Sequence, residues 1–180
     1  MFLVMPIVGI NQGSQPIIGY NYGAKRYDRV KETLKSSIIA ATLFVSLGFI
    51  LTRLYPHKLI YLFNRDDLEL LRIGTEGIKI FLLMLPVIGF QIVSSNYFQA
   101  VGKAPKAMFL SLLRQVIVLM PMLIILPKFW GLRGVWLSGP TADFTASIVT
   151  AIFLYNEIKH LNQSTKVEKN KSNLVEIRSL

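Results

Sequence analysis

Two residues of opposite charge stand where charge is least welcome. Asp143, in "SGPTADFTAS", and Arg114, in "FLSLLRQVIV", each fall inside a long apolar run. An ionised carboxylate in a bilayer interior costs at least about 2.5–3.5 kcal/mol, so it must meet a partner or water, or take up a proton. Ser147 and Thr150 continue the Asp143 face at i+4 and i+7 of a helix. Arg114 lies within a few residues of the middle of its own run, and the short stretch "PKFWGLRG" joins the two runs. Runs joined so closely are antiparallel neighbours, so the sequence predicts that Arg114 and Asp143 pair. Three roles fit: a charge pair that fixes helix register, a proton- or ion-coupling site, and an Arg114 that snorkels to the lipid edge.

Amides and hydroxyls form a second set. Asn11, Gln15 and Tyr22 recur at helical spacing and share a face, with Gln12 beside them. Two G-x-x-x-G units, Gly9 with Gly13 and Gly19 with Gly23, flank Pro16 and would let another helix approach closely. Farther on, Gln91, Ser94, Ser95 and Phe98 make one helical stripe, while Asn96 is expected to point elsewhere. Such residues either tie helices together or line a water-filled path. Asn11, Gln12, Gln15, Tyr22, Gln91 and Ser95 are the candidates for lining.

Catalytic and metal chemistries find no support. The chain has no cysteine, so disulfides, thiol catalysis and Cys-type zinc sites are excluded. Its two histidines, His57 and His160, lie outside the apolar runs, and no H-E-x-x-H, G-x-S-x-G or P-loop pattern accompanies them. No catalytic residue, metal ligand or cofactor is assigned, and the chain is not expected to be an enzyme.

The elements that must position these residues are apolar. Of the 180 residues 52% are hydrophobic and 17% charged, with mean hydropathy +0.47, too greasy for an ordinary soluble domain. Five segments emerge, at about 2–22, 36–55, 78–101, 107–126 and 135–155, each near the ~20 residues needed to cross a bilayer. Backbone groups in lipid must be satisfied within the segment, which predicts an all-α, polytopic bundle of about five membrane helices. Pro16, Pro86 and Pro121 fall inside segments and are expected to kink them. The lead-in "YDRVKETLKSS" is expected to be helical, and residues 162–180 to form a loosely ordered basic tail.

The net charge of +10 sits mostly at segment ends, where it sets topology rather than binding nucleic acid. Thirteen of the 20 basic residues fall in the first loop, the third loop with its following helix, and the tail. That bias predicts an integral plasma-membrane protein with a cytoplasmic C-terminus. Five spans then put the N-terminus outside, in an apolar run without flanking charge, as expected for residues 1–161 being the C-terminal portion of a longer membrane protein.

Three stretches carry a family resemblance. "GINQGSQPIIGYNYGAKRYDRVKETLK" resembles the border of helices 8 and 9 in the multidrug and toxic compound extrusion (MATE) antiporters. "FQAVGKAPKAMFLSLLRQ" resembles the loop between helices 10 and 11, and "GLRGVWLSGPTADF" the start of helix 12. The resemblance implies that the five segments are helices 8 to 12 of a twelve-helix, two-lobed transporter. It implies exchange of Na+ or H+ for small organic, often cationic, compounds or drugs by alternating access. It also implies a missing N-terminal lobe as partner and a bacterial-type inner membrane as location. The family often uses acidic residues in helices 1, 7 and 10 as cation sites, whereas the segment at 78–101 offers Gln91 and Asn96 and no carboxylate. A lone fragment is therefore not expected to transport. The alternatives are a lipid-linked oligosaccharide or polysaccharide flippase of the same superfamily and a non-transporting membrane scaffold.

Overall fold

The computed structural model describes residues 4–61 and 68–178, and among them every regular element is helical. Residues 2 and 3 of the first segment, Arg65 and the last two tail residues lie outside the described residues.

Helix α1 (Met5–Gly23) starts with a proline in its first turn, where the missing N–H is no loss. It ends in a tight reversal in which the amide of Arg26 donates to the carbonyl of Asn21 at 2.8 Å. Helix α2 (Tyr27–Leu54) follows at once, so the basic lead-in is helical as expected. Two short helices come next, α3 (Pro56–Tyr61) and α4 (Leu68–Phe81), before α5 (Leu85–Ala100).

The expected span 78–101 is broken. Residues 82–84 separate α4 from α5, and the two axes meet at 48°. Pro86 sits in the first turn of α5 and cannot donate the amide bond that would carry the helix through. Short-range bonds from Leu83 to Ile80 and from Leu85 to Leu82, both 3.1 Å, turn the chain there instead.

Helix α6 (Ala104–Leu112) runs into a π-helical stretch, Leu113–Leu119, and then into α7 (Met120–Arg178). At Gly131, φ is 54° and ψ is −133°, a region that only glycine visits easily, and α7 folds back on itself there. The predicted antiparallel neighbours thus meet through a one-residue corner rather than an eight-residue connection. The second arm of α7 continues through Arg178, so the tail is helical rather than loosely ordered. Leu161 anchors this extension in the core, and Lys31 of α2 bonds Asn162 at 2.9 Å.

Helix α5 is the hub. Its Val93, Tyr97 and Phe98 share a core with Ile7 and Ile18 of α1, with Val30, Leu34, Ala41 and Val45 of α2, and with Leu154 and Leu161 of α7. A Cβ on Gly89 would stand only 3.0 Å from the Ala41 backbone, so the absent side chain sets how closely α5 and α2 approach.

Polarity runs inside out. Leu43, Leu47 and Leu51 of α2, Ile117 of the π-helical stretch and Ile124 and Phe129 of α7 are exposed, while Asn11, Gln91, Ser94, Ser138, Asp143 and Thr150 are buried. Buried hydroxyls bond back to their own helices, Ser37 to the Thr33 carbonyl and Ser138 to the Gly134 carbonyl, each at 2.8 Å. That pattern suits a lipid exterior. Tyr27–Leu54 and Ala104–Val167 are long and apolar enough to cross a membrane, and the bent pair Leu71–Phe81 with Leu85–Ala100 passes the same test jointly. The Gly131 corner divides the second of these into two passes. Helix α1 has 19 residues, long enough to span, although its amides dilute its hydropathy.

Candidate functional site

The charged pair predicted from sequence is brought together. Arg114 Nε donates to Asp143 Oδ1 at 2.6 Å. The Asp143 side chain is 5% exposed and that of Arg114 35% exposed. Arg114 lies one residue into the π-helical stretch. Such wider turns are often found at functional sites, because they break the regular i to i+4 ladder. Asp143 comes from the returning arm of α7, where Ser147 Oγ donates to the Asp143 carbonyl at 2.6 Å. The Gly131 corner is what places the two arms side by side.

This pair separates two cavities. The polar one, about 280 Å3 and open on one side, lies between α1, α5 and α6 with its π-helical extension. Asn11 enters it from α1, and Gln91, Ser95, Asn96 and Gln99 from α5. Ser111, Arg114 and Gln115 supply the facing wall, and none of the described lining residues is acidic. The side-chain carbonyl oxygens of Asn11 and Gln91 are buried and have no hydrogen-bond partner among the described residues. An unpaired buried acceptor is costly, and both oxygens are sealed among packed helices rather than exposed to the open space of the cavity. The second cavity, about 240 Å3, is lined by Phe81, Leu119, Leu123 and Trp136 and reaches both Arg114 and Asp143.

The other sequence-derived candidates divide. Gln12 is exposed, and Gln15 is half-buried without lining the polar cavity. Tyr22 stands at the end of α1, edge-on to Tyr27 with ring centroids 5.7 Å apart. Among the described residues, Gly19 is the one of the four glycines of α1 that meets another helix, its would-be Cβ lying 3.1 Å from the Ala100 carbonyl oxygen. Gly9, Gly13 and Gly23 face open space in this chain. Asn96 does not point elsewhere. The lining stripe on α5 is Gln91, Ile92, Ser95, Asn96 and Gln99, rotated from the expected one. Ser94 and Phe98 are fully buried in helix packing instead.

Glu157 went unread in the sequence although a signal existed. Asp143, Ser147, Thr150, Leu154, Glu157 and Leu161 follow each other at alternating spacings of four and three, and all are buried. Glu157 forms a short ion pair with Lys103 and a longer one, 3.7 Å, with Lys106. Lys103 also lies over the Tyr22 ring and Lys106 over the Phe98 ring, each 5.8 Å from the centroid. Partial burial opposes the charge on Lys103, but the hydrogen bond and charge of Glu157 outweigh it and hold the ammonium above the ordinary lysine value. The cluster clasps α1, the α5–α6 turn and α7 at one end of the bundle.

Known proteins are similar to this chain in sequence and in fold. The MatE family model matches residues 1–125. The Multidrug export protein MepA of Staphylococcus haemolyticus is 24% identical over 150 residues, which are 83% of this chain and 32% of that protein. A solved structure named protein A is 42% identical, with a TM-score of 0.81 over 87% of this chain and 35% of its own. An inward-facing multidrug resistance MATE family transporter of the MOP superfamily is 20% identical, with a TM-score of 0.83, covering 91% of this chain and 38% of that one. The chain spans about a third of the length of the curated relatives it matches.

Proposed function

Because the chain belongs to the MatE family, we propose that it forms part of the C-terminal lobe of a secondary efflux transporter for small organic compounds. The observation that carries this reading is a polar, one-sided cavity inside a bundle whose outer surface is apolar. Secondary transporters of this kind bind their cargo near mid-membrane between repeats, where side chains rather than water satisfy polar groups. In this reading Asn11, Gln91 and Ser95 belong to the path wall, joined by Asn96, Gln99 and Ser111. Arg114 and Asp143 fix the register of the two arms of α7 at membrane depth and are the candidates for sensing the coupling ion, Na+ or H+.

The missing amino-terminal lobe supplies the opposite wall, and the chain alone does not transport. It lies in the plasma membrane with its C-terminal helix in the cytoplasm, and the Glu157 clasp is then on the cytoplasmic side. A flippase for pyrophosphate-linked lipids would want several cations in its cavity, and Arg114 is the one here.

Co-expression tests the reading. The chain is produced with an amino-terminal MatE lobe in bacteria stripped of their own pumps, and the accumulation of fluorescent organic compounds is followed. The pair should lower accumulation several-fold and collapse of the ion gradient should restore it, while either lobe alone should do nothing. Accumulation that stays unchanged with both lobes in the membrane would contradict the proposal.

A further inference from the structure

Among the described residues that line the polar cavity one carries a formal charge, and it is positive. Arg114 lines the cavity while Asp143 does not, since Asp143 reaches only the apolar cavity on the far side of the pair. Among the described residues the Arg114 side chain makes its one hydrogen bond through Nε. The two Nη nitrogens retain four N–H donors in the planar fork that matches a carboxylate. We infer that this cavity takes a small compound bearing one carboxylate, held by the Nη edge of Arg114.

Charge arithmetic favours this class over its rivals. An organic cation entering the cavity would meet a guanidinium and no acidic lining residue. A pyrophosphate would bring more negative charge than one guanidinium, already shared with Asp143, can neutralise. A single carboxylate instead makes a paired, charge-assisted contact on the free edge of the guanidinium while Asp143 keeps the Nε edge. Asp143 is then a positioning residue, turning the guanidinium so that its Nη edge faces the cavity. Any cationic group on the same cargo would bind outside this chain. The inference rests on the export reading only in taking the cavity to lie on a cargo path.

Dansylglycine, which carries a carboxylate and a sulfonamide N–H, is titrated against the full chain in lipid–detergent micelles, with its methyl ester and ethidium as comparators. The acid should bind at least about tenfold more tightly than the ester. Replacing both charges at once, R114Q with D143N, avoids stranding either one and keeps the packing. That variant should erase the preference by weakening acid binding selectively, with ethidium binding no weaker than before. R114K should retain part of the preference, because an ammonium keeps the charge and loses the fork. Equal binding of acid and ester, no detectable binding of the acid, or a preference that survives in the double variant would each overturn the inference. A carboxylate preference in a chain that supports no efflux with its partner lobe would instead refute export and leave the site standing. Efflux without the preference would do the reverse.

Discussion

At the scale of single residues, the Arg114–Asp143 pair is held by mutual need more than by net gain. Removing one partner of a buried pair costs about 3–5 kcal/mol because the other is left stranded, while removing both is often close to neutral. D143A alone should therefore lower the unfolding midpoint of the detergent-solubilised chain far more than R114Q with D143N, read by circular dichroism on heating. Equal losses in the two variants would show that the pair is not coupled. Glu157 should behave likewise. E157A strands Lys103 and Lys106 and should expose the α5–α6 turn, read as faster hydrogen exchange at residues 101–106. The sign for pH follows from Lys103, whose pKa is raised. Its contribution is fully present below the ordinary lysine value and is lost only as pH rises past the elevated one, so the clasp should not respond between pH 6 and 9.

At the scale of elements, glycine positions separate packing from openness. A side chain at Gly89 must push α5 off the Ala41 backbone. G89A should thus destabilise by about 1–3 kcal/mol, the usual range for overpacking. G9A and G13A meet open space, and in this chain they should be neutral or gain up to about 1 kcal/mol from helix propensity. Thermal melts of the three variants side by side would check the ranking. The five apolar segments and the pairing of Arg114 with Asp143 were readable because they depend on hydropathy, loop length and helical period. Three features were not. The break at residues 82–84 depends on where Pro86 falls relative to a helix start, which periodicity does not encode. The rotation of the lining stripe depends on Ser94 and Phe98 being buried, with Phe98 packed edge-on against Phe153 of α7. The helical tail depends on Leu161 and Asn162 reaching back to the bundle. The Glu157 face was legible, but only by extending the Asp143 face beyond the apolar run that frames it.

At the scale of the whole molecule, an inside-out bundle with one hub helix is what the proposed transporter lobe requires. Its polar cavity opens to one side, and Gly9 and Gly13 present a smooth, small-residue surface to whatever stands beside α1. Because the chain has no cysteine, single cysteines report topology cleanly. A cysteine at Lys166 should be shielded from impermeant thiol reagents in intact cells, and one at Arg133 should be labelled. The reverse pattern would invert the proposed orientation. The most direct test of the account is efflux by two co-expressed lobes in pump-deficient cells, with dansylglycine and ethidium as reporters. The account predicts gradient-driven loss of at least one reporter when this chain and an amino-terminal lobe are both present, and none with either alone. Two well-inserted lobes that leave both reporters where they were would contradict it.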